Sequence, residues 1–184
     1  MELNFKYISE SQLTIAELML PSHSNFSGKI HGGYILNLMD QIAFACASKH
    51  SSNYCVTASV NKVDFLNPIE VGELVTLKAS INYTGKTSMV VGLRVESENI
   101  RTGKKKHCNS SYFTMVAKNE NGNSTPIPGI ILINKDEVRR FARNIVRQKE
   151  GRQRNSRFSS EAFKTAEYSH LLDDSNSKLE LTDQ

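Results

Sequence analysis

Between residues 56 and 117 the chain carries four strand-like segments in succession, with short connections and no helical pattern between them. The clearest of them, residues 73–83, alternates apolar and polar side chains, and residues 88–96 repeat the alternation after a turn at 84–87. Alternation with a period of two on both sides of a tight connection predicts an antiparallel hairpin. Because parallel strands need long crossover connections, these short links predict an antiparallel sheet.

A single long helix is predicted ahead of these strands, over residues 33–49, and a strand over 14–20 precedes it. This order predicts an α+β fold in which an antiparallel sheet packs against one long helix. The predicted sheet strands after the helix are residues 56–65, 73–83, 88–96 and 107–117. A change of alternation in the first of them predicts a bulge near Asn61 and Lys62. Because one sheet leaves an edge and a face to be covered, we expect a homo-oligomer.

The charge pattern divides the rest of the chain. Residues 135–157 hold nine Lys/Arg and three Asp/Glu, whereas residues 158–184 hold two and six. We therefore predict a domain over residues 1–134, a basic C-terminal helix over 135–157 and a flexible acidic tail over 158–184, with a short helix around 160–172. The basic segment has few aromatic neighbours and no recognised nucleic-acid motif, so we predict no nucleic-acid partner.

Composition favours a cytoplasmic protein. The three cysteines, Cys46, Cys55 and Cys108, form no CxxC pair and lie within predicted elements, which is typical of buried thiols in a reducing compartment. The N-terminal residues lack a signal-peptide layout, and no apolar run reaches the length of a membrane span. No His/Cys spacing indicates a metal site, so we predict neither a metal nor a membrane partner.

One carboxylate interrupts an apolar stripe of the long helix. Steps of three or four residues from Gly33 meet small or apolar side chains except at Asp40. Either Asp40 lies at the edge of the stripe and reaches water, or it has a function. Glycines at 28, 32 and 33 precede it, and a helix N-terminus offers free N–H groups that polarise a carbonyl oxygen. Gly33 and Asp40 lie about 10 Å apart along a continuous helix, so the helix begins later or the two groups come from different subunits.

Several ordered blocks resemble the hot-dog-fold acyl-CoA thioesterases, the acyl-CoA hydrolase group that includes the bacterial YciA-type enzymes. The resemblance covers residues 13–130 and includes Pro21, Asn25, Gly28, the runs 30–33, 39–40, 63–65, 67–69, 71–73, 84–89 and 113–117, and Ala43. It implies a sheet wrapped around a long helix, dimers that join their sheets, and commonly trimers of dimers. It also implies an active site at the dimer interface, with Asn25 and Asp40 contributed by different protomers.

We therefore predict hydrolysis of acyl-CoA thioesters, with no cofactor beyond the CoA of the substrate. Asp40 acts as general base or nucleophile, Asn25 orients the water or the thioester, and a backbone N–H of Gly32 or Gly33 stabilises the oxyanion. The remaining candidate substrate-binding residues are His31 (in a structural role), Thr57, Ser59, Lys86, Thr87, Ser88, Arg139 and Arg140.

These candidates rest on different grounds. Thr57 and Ser59 alternate with apolar neighbours and are placed on one face, which ordinary strand alternation also explains. Residues 86–88 resemble the family's pantetheine-contacting segment. Arg139 and Arg140, with Arg143, suit the nucleotide phosphates of CoA, although a solvated basic helix face explains them equally.

Two other functions are compatible with the fold. Acyl-thioester dehydratases and hydratases need a histidine paired with a carboxylate, and the helix offers Asp40 and Gln41 instead. A non-hydrolysing acyl-CoA-binding regulator is the other, against which the presence of both Asn25 and Asp40 argues.

Overall fold

The computed structural model describes residues 4–159, 163–168 and 170. Its strands are β1 (Phe5–Tyr7), β2 (Leu13–Leu18), β3 (Tyr54–Val60), β4 (Glu73–Thr84), β5 (Ser88–Asn99), β6 (Lys105–Lys118) and β7 (Gly129–Ile131). Its helices are α1 (Ile8–Ser11), α2 (Gly32–Ser51), α3 (Lys135–Arg157) and α4 (Thr165–Tyr168), with a 3-10 turn at Pro21–His23. None of these helices is both long and apolar enough to cross a membrane.

Five of the strands form one antiparallel sheet in the order β2-β4-β5-β6-β3, and α2 packs on one face of it. Strands β4, β5 and β6 are its three longest members and are joined by two hairpins, the first of which is the hairpin predicted from residues 73–83 and 88–96. The short strands β1 and β7 pair in parallel as a separate two-stranded sheet. The prediction of a hot-dog fold, with an antiparallel sheet around one long helix and a further C-terminal helix, is confirmed.

Helix α2 supplies one side of the core, because every third or fourth residue from Ile35 is apolar and buried. The fully buried large side chains of the core include Ile35, Met39, Ile42, Leu77, Val91, Phe113 and Met115. The helix begins at Gly32, where the His31 side chain accepts the Gly33 N–H, and ends at Ser51, after which Ser52 adopts the left-handed conformation (φ 58°). It is therefore slightly longer at both ends than the predicted span of 33–49.

Strand β3 differs from its prediction in two ways. It ends at Val60 rather than at residue 65, and its bulge lies between Thr57 and Ser59 rather than near Asn61 and Lys62. Beyond Val60 the Ser111 hydroxyl donates to the carbonyl oxygens of residues 61 and 62, at 3.1 and 3.4 Å. In a regular antiparallel ladder these carbonyl oxygens accept from backbone N–H groups of the neighbouring strand. Here they accept from the Ser111 side chain instead, and the pairing with β6 becomes irregular.

The chain divides into two compact units, Met1–Asn144 and Ile145–Gln184. The first contains both sheets, α1, α2 and the start of α3. In the second, the aromatic rings of Phe158, Phe163 and Tyr168 pack against one another. The predicted boundaries at residues 134 and 157 stay predictions. Within the segment 160–172, where a short helix was predicted, the structure has the helix α4. Much of the rest of that segment and of the predicted tail lies outside the described residues.

Candidate active site

Asp40 lies on α2 beside the edge strand β3 and is exposed in the protomer. The Thr57 hydroxyl donates a 2.6 Å hydrogen bond to Asp40 Oδ1 and lies 3.5 Å from the sulfur of Met115. The buried face of α2 is the neighbouring stripe through Met39 and Ile42, so Asp40 stands at its border. The protomer therefore places Asp40 at the edge of the apolar stripe, one of the positions that the sequence left open. It leaves Asp40 oriented by one hydroxyl and open to water, an arrangement suited to a base or a nucleophile.

The bulge in β3 separates the two polar residues predicted to share a face. Thr57 pairs with Met115, whose side chain is fully buried on the face that α2 covers. Ser59 pairs with the next residue of β6, Thr114, on the opposite face. The prediction that Thr57 and Ser59 point the same way is wrong, because the extra residue between them reverses the alternation. Only Thr57 therefore accompanies Asp40.

At the start of α2 one backbone donor is occupied and its neighbour is free. The N–H of Gly33 donates to Nδ1 of His31 at 3.1 Å, which makes His31 the helix N-cap. The N–H of Gly32 has no partner among the described residues. A β-carbon at Gly32 would lie 3.2 Å from the ring of Phe65, so glycine lets that ring cover the helix end. Of the two predicted oxyanion donors, Gly32 is the one available in the protomer.

Asn25 lies in the loop before α2, half-buried. Its Oδ1 accepts the backbone N–H groups of Ser27 and Lys29, at 2.9 and 3.2 Å. The turn closes through Gly28 at φ 73°, a conformation that favours glycine. Asn25 Nδ2 makes no hydrogen bond to any described residue, and none joins Asn25 to Asp40. The loop therefore fixes the Asn25 side chain through its Oδ1 and leaves its Nδ2 free to donate a hydrogen bond.

Three side chains to which the sequence pattern assigned no role attach this loop to α2. The ring of His23 stacks on Tyr34, with centroids 3.9 Å apart, and His23 Nδ1 accepts the Leu20 N–H at 3.3 Å. The Tyr34 hydroxyl donates to Glu17 of β2. That hydrogen bond, together with burial and the negative charge of Glu17, raises the pKa of Tyr34. The available sequence signal was a carboxylate on the inward face of β2, because Glu17 alternates in register with Leu13 and Ile15 and pairs with the buried Val75.

The segment Lys86–Ser88 runs from the turn between β4 and β5 into the first residue of β5. Its backbone is held by two long-range hydrogen bonds, from the Ile127 N–H to Lys86 O at 3.1 Å and from the Ala117 N–H to Thr87 O at 3.0 Å. The turn makes no hydrogen bond to Asp40 or Thr57. Within one protomer, the structure does not bring this predicted substrate-binding segment to the carboxylate.

Arg139 and Arg140 also lie apart from Asp40. They line a cavity together with Lys78, Arg94 and Tyr112, residues of the central strands. Arg139 pairs with Asp136 of its own helix at 3.2 Å. Gly92, opposite Tyr112, belongs to this cavity, whereas Val91, opposite Phe113, faces the core. The arginines thus lie on the outer face of the sheet, and Asp40 lies on the face that α2 covers.

Comparison with known proteins places this geometry in context. Residues 27–104 match the family model described as the thioesterase superfamily. Protein VdlD of Helicobacter pylori is 45% identical over 131 residues, which are 71% of this chain and 75% of that protein. An apo-hexameric acyl-CoA thioesterase of known structure is 34% identical with a TM-score of 0.81, over 85% of this chain and 99% of that one.

A third similar protein is an acyl-CoA hydrolase from Staphylococcus aureus, solved with butyryl-CoA, CoA and CoA disulfide. It is 28% identical, with a TM-score of 0.75, over 90% of this chain and 99% of that one. Further structures of that hydrolase carry alanine in place of an aspartate, an asparagine or a threonine.

Proposed function

The chain belongs to the acyl-CoA hydrolases of the thioesterase superfamily, and on that premise we propose that it hydrolyses acyl-CoA to a carboxylic acid and CoA. The observation that carries the proposal is the 2.6 Å hydrogen bond from Thr57 to an exposed Asp40 at the open edge of the sheet. A carboxylate that is oriented and still reached by water is what thioester hydrolysis needs.

The reaction follows from the groups at this site. Asp40 takes a proton from a water molecule whose oxygen adds to the thioester carbonyl carbon. Alternatively, Asp40 attacks that carbon and forms an anhydride that water then cleaves. The carbonyl oxygen becomes an oxyanion, which the Gly32 N–H stabilises at the positive end of α2. The carbon–sulfur bond then breaks, and the CoA thiolate leaves and takes up a proton.

The spacing of three residues supports this assignment. In the S. aureus hydrolase the substituted asparagine and aspartate are 15 residues apart in that enzyme's numbering, and the threonine follows 17 residues later. Asn25, Asp40 and Thr57 of this chain have the same two spacings. We propose that these three residues form the reactive part of the site, with Asn25 orienting the water or the thioester.

We further propose that Asn25 and Asp40 of one site come from two protomers. The edge strand β3 has one side without a strand partner among the described residues, and it exposes the apolar residues Tyr54 and Val60. The ring of Tyr54 lies 5.6 Å from that of Phe44 of α2, which is also exposed. A second copy that pairs along β3 covers this surface and brings its own Asn25 loop to the Asp40 face. Two of the similar structures are hexameric thioesterases, which supports further assembly into a trimer of dimers.

The remaining predicted contacts keep lesser roles. The segment 86–88, in which Lys86 is exposed and Thr87 and Ser88 are half-buried, binds pantetheine in a neighbouring protomer. His31 caps α2 beside the thioester, and Ser59 stays a predicted contact on the other face. Catalysis on this scheme uses no cofactor beyond the CoA of the substrate. The cytoplasm, as predicted from the cysteines, is the proposed location.

The test is thiol release from acyl-CoAs of graded chain length, measured with Asp40→Asn and Asn25→Ala as inactive variants. Mixing the two variants after co-refolding then separates the subunit arrangements. If a site takes Asn25 from one protomer and Asp40 from the other, half of the dimers are mixed and each holds one intact site, so roughly a quarter of the wild-type rate returns. Recovery of no activity contradicts the shared site, provided that mixed dimers are demonstrated by mass.

The competing functions give different results. An Asp40→Asn protein with the wild-type rate overturns the catalytic assignment. Binding of acyl-CoA without thiol release from any chain length indicates the regulator instead, and hydration of an enoyl-CoA indicates a hydratase. Salt-dependent binding of duplex DNA or RNA supports a nucleic-acid role for residues 135–157.

A further inference from the structure

A cavity of about 410 Å³ lies on the outer face of the sheet, beside the first turns of α3. Its walls come from β2, β4, β5 and β6 on one side and from Arg139, Arg140 and Arg143 on the other. A cavity of this volume holds a small organic ligand. The mechanism proposed above does not use it.

The strand register explains why polar groups line this cavity. Lys78, Arg94 and Ser110 lie across from one another on three adjacent strands, as do Ser80, Gly92 and Tyr112. Alternate residues face the core, so these six face outward. Gly92 has no side chain, and the amide of Asn82 fills the space above it: a β-carbon there would lie 2.0 Å from Asn82 Nδ2. Asn82 is buried, with its Oδ1 accepting the Ser80 hydroxyl at 3.1 Å. Its Nδ2 donates to no described residue.

The cavity carries more positive than negative charge. Glu96 accepts from both Lys78 at 2.6 Å and Arg94 at 2.8 Å, and these two hydrogen bonds lower its pKa to about 2. Asp136 pairs with Arg139. Among the described residues Arg140 and Arg143 have no acidic partner. Two unneutralised guanidinium groups beside the buried amide of Asn82 suit an anion with several oxygens, because the guanidinium fork matches phosphate geometry.

The sheet separates this cavity from the carboxylate. Tyr112 and Gly92 lie on the outer face, while Thr57, the partner of Asp40, lies on the face that α2 covers. A ligand whose reactive end is at Asp40 of one protomer therefore does not enter the cavity of the same protomer.

We infer that the outer cavity is a second binding site, which takes the diphosphate or phosphate-ester group of a small ligand. Two sources have this chemistry: the nucleotide end of a CoA bound at the active site of another protomer, and a free nucleotide that acts as an effector. Arg140, Arg143 and Asn82 bind the phosphoryl oxygens in either case.

The test measures binding of inorganic pyrophosphate, ADP and adenosine to the full-length protein by calorimetry. The cavity variant is Arg140→Gln/Arg143→Gln, and the matched control is Arg152→Gln/Arg154→Gln, which removes the same charge from positions of α3 that do not line the cavity. We expect wild type and control to bind pyrophosphate and ADP alike, the cavity variant to bind both at least ten-fold more weakly, and adenosine to bind to none.

Three results overturn the inference. The wild type binds neither pyrophosphate nor ADP, the cavity variant binds them as tightly as the wild type does, or adenosine binds the wild type as tightly as ADP does. Rates with acyl-CoA and with the matching acyl-pantetheine, which lacks the nucleotide, then separate the two sources. A higher KM of the cavity variant for acyl-CoA alone assigns the phosphates to CoA. An unchanged KM, with loss of an effect of ADP on the rate, assigns them to a free nucleotide. Because the binding test needs no turnover, a failure of the proposed hydrolysis leaves it interpretable.

Discussion

Replacing Thr57 by valine removes one hydroxyl from the candidate active site and keeps the shape of the side chain. The lost interaction is the 2.6 Å hydrogen bond to Asp40. Hydrogen bonds to charged groups contribute about 1.5–3 kcal/mol, and the lower value applies here because both side chains are exposed in the protomer. If the bond holds the carboxylate in its reactive orientation, about 1.5 kcal/mol of transition-state stabilisation is lost, which is roughly a ten-fold fall in kcat.

The assay is steady-state thiol release from a short-chain acyl-CoA, with Thr57→Ser as the control that retains the hydroxyl. We expect the serine variant to stay within about three-fold of the wild type, and the urea unfolding midpoint of the valine variant to be unchanged. In an Asp40→Asn background Thr57→Val should have little further effect, since the two residues act together. A Thr57→Val variant with the wild-type kcat refutes the reasoning. So does an equal fall in kcat when Thr57→Val is introduced into the Asp40→Asn protein.

Three further predictions concern stability and reactivity. Gly92→Ala places a β-carbon 2.0 Å from Asn82 Nδ2, so urea unfolding should show a loss of about 1–3 kcal/mol that Asn82→Ala partly restores. Burial lowers the pKa of His50 from 6.5, so the unfolded chain takes up the proton first and the free energy of unfolding falls as pH drops below 6.5. His50→Gln should flatten that slope. Burial raises the pKa of Cys46 to about 12, so iodoacetamide at pH 8 should label it only after denaturation, as mass spectrometry would show.

The order of elements could be predicted because each signal is local. The alternation of residues 73–83 and its repetition in 88–96 specify both strands and their antiparallel pairing without information from elsewhere in the chain. The end of β3 could not be predicted in this way. Val60 ends the strand because Ser111, some fifty residues later, bonds the carbonyl groups that follow it. A hydrogen bond of that sequence separation leaves no mark on the alternation near residue 60.

The sequence predicted which residues form the candidate site better than it predicted how they are arranged. Asp40 stood out because a carboxylate interrupted an apolar stripe, but α2 has two adjacent stripes that share buried alanines, and the sequence does not say which one the sheet covers. The sequence did not predict that the His31 side chain caps α2 by accepting the Gly33 N–H, because histidine is not among the usual N-cap residues. The separation of Ser59 from Asp40 depends on the β3 bulge, which lies after Thr57 and changes the face of every residue that follows it.

The unbroken course of α2 bears most directly on how a complete site forms. The spacing of Gly33 and Asp40 left open a helix that begins after Gly33, but α2 is continuous from Gly32 to Ser51. The free N–H of Gly32 and the carboxylate of Asp40 are therefore about 12 Å apart along one helix axis. A hydrogen bond of about 3 Å to the carbonyl oxygen, the carbonyl bond of about 1.2 Å and an attack distance of about 3 Å together span about 7 Å, so Asp40 does not directly attack a carbonyl held by the Gly32 N–H of the same α2. If both groups act on one carbonyl, a second copy of α2 must supply one of them, and the separated protomer should be inactive even though every proposed catalytic residue is present in it.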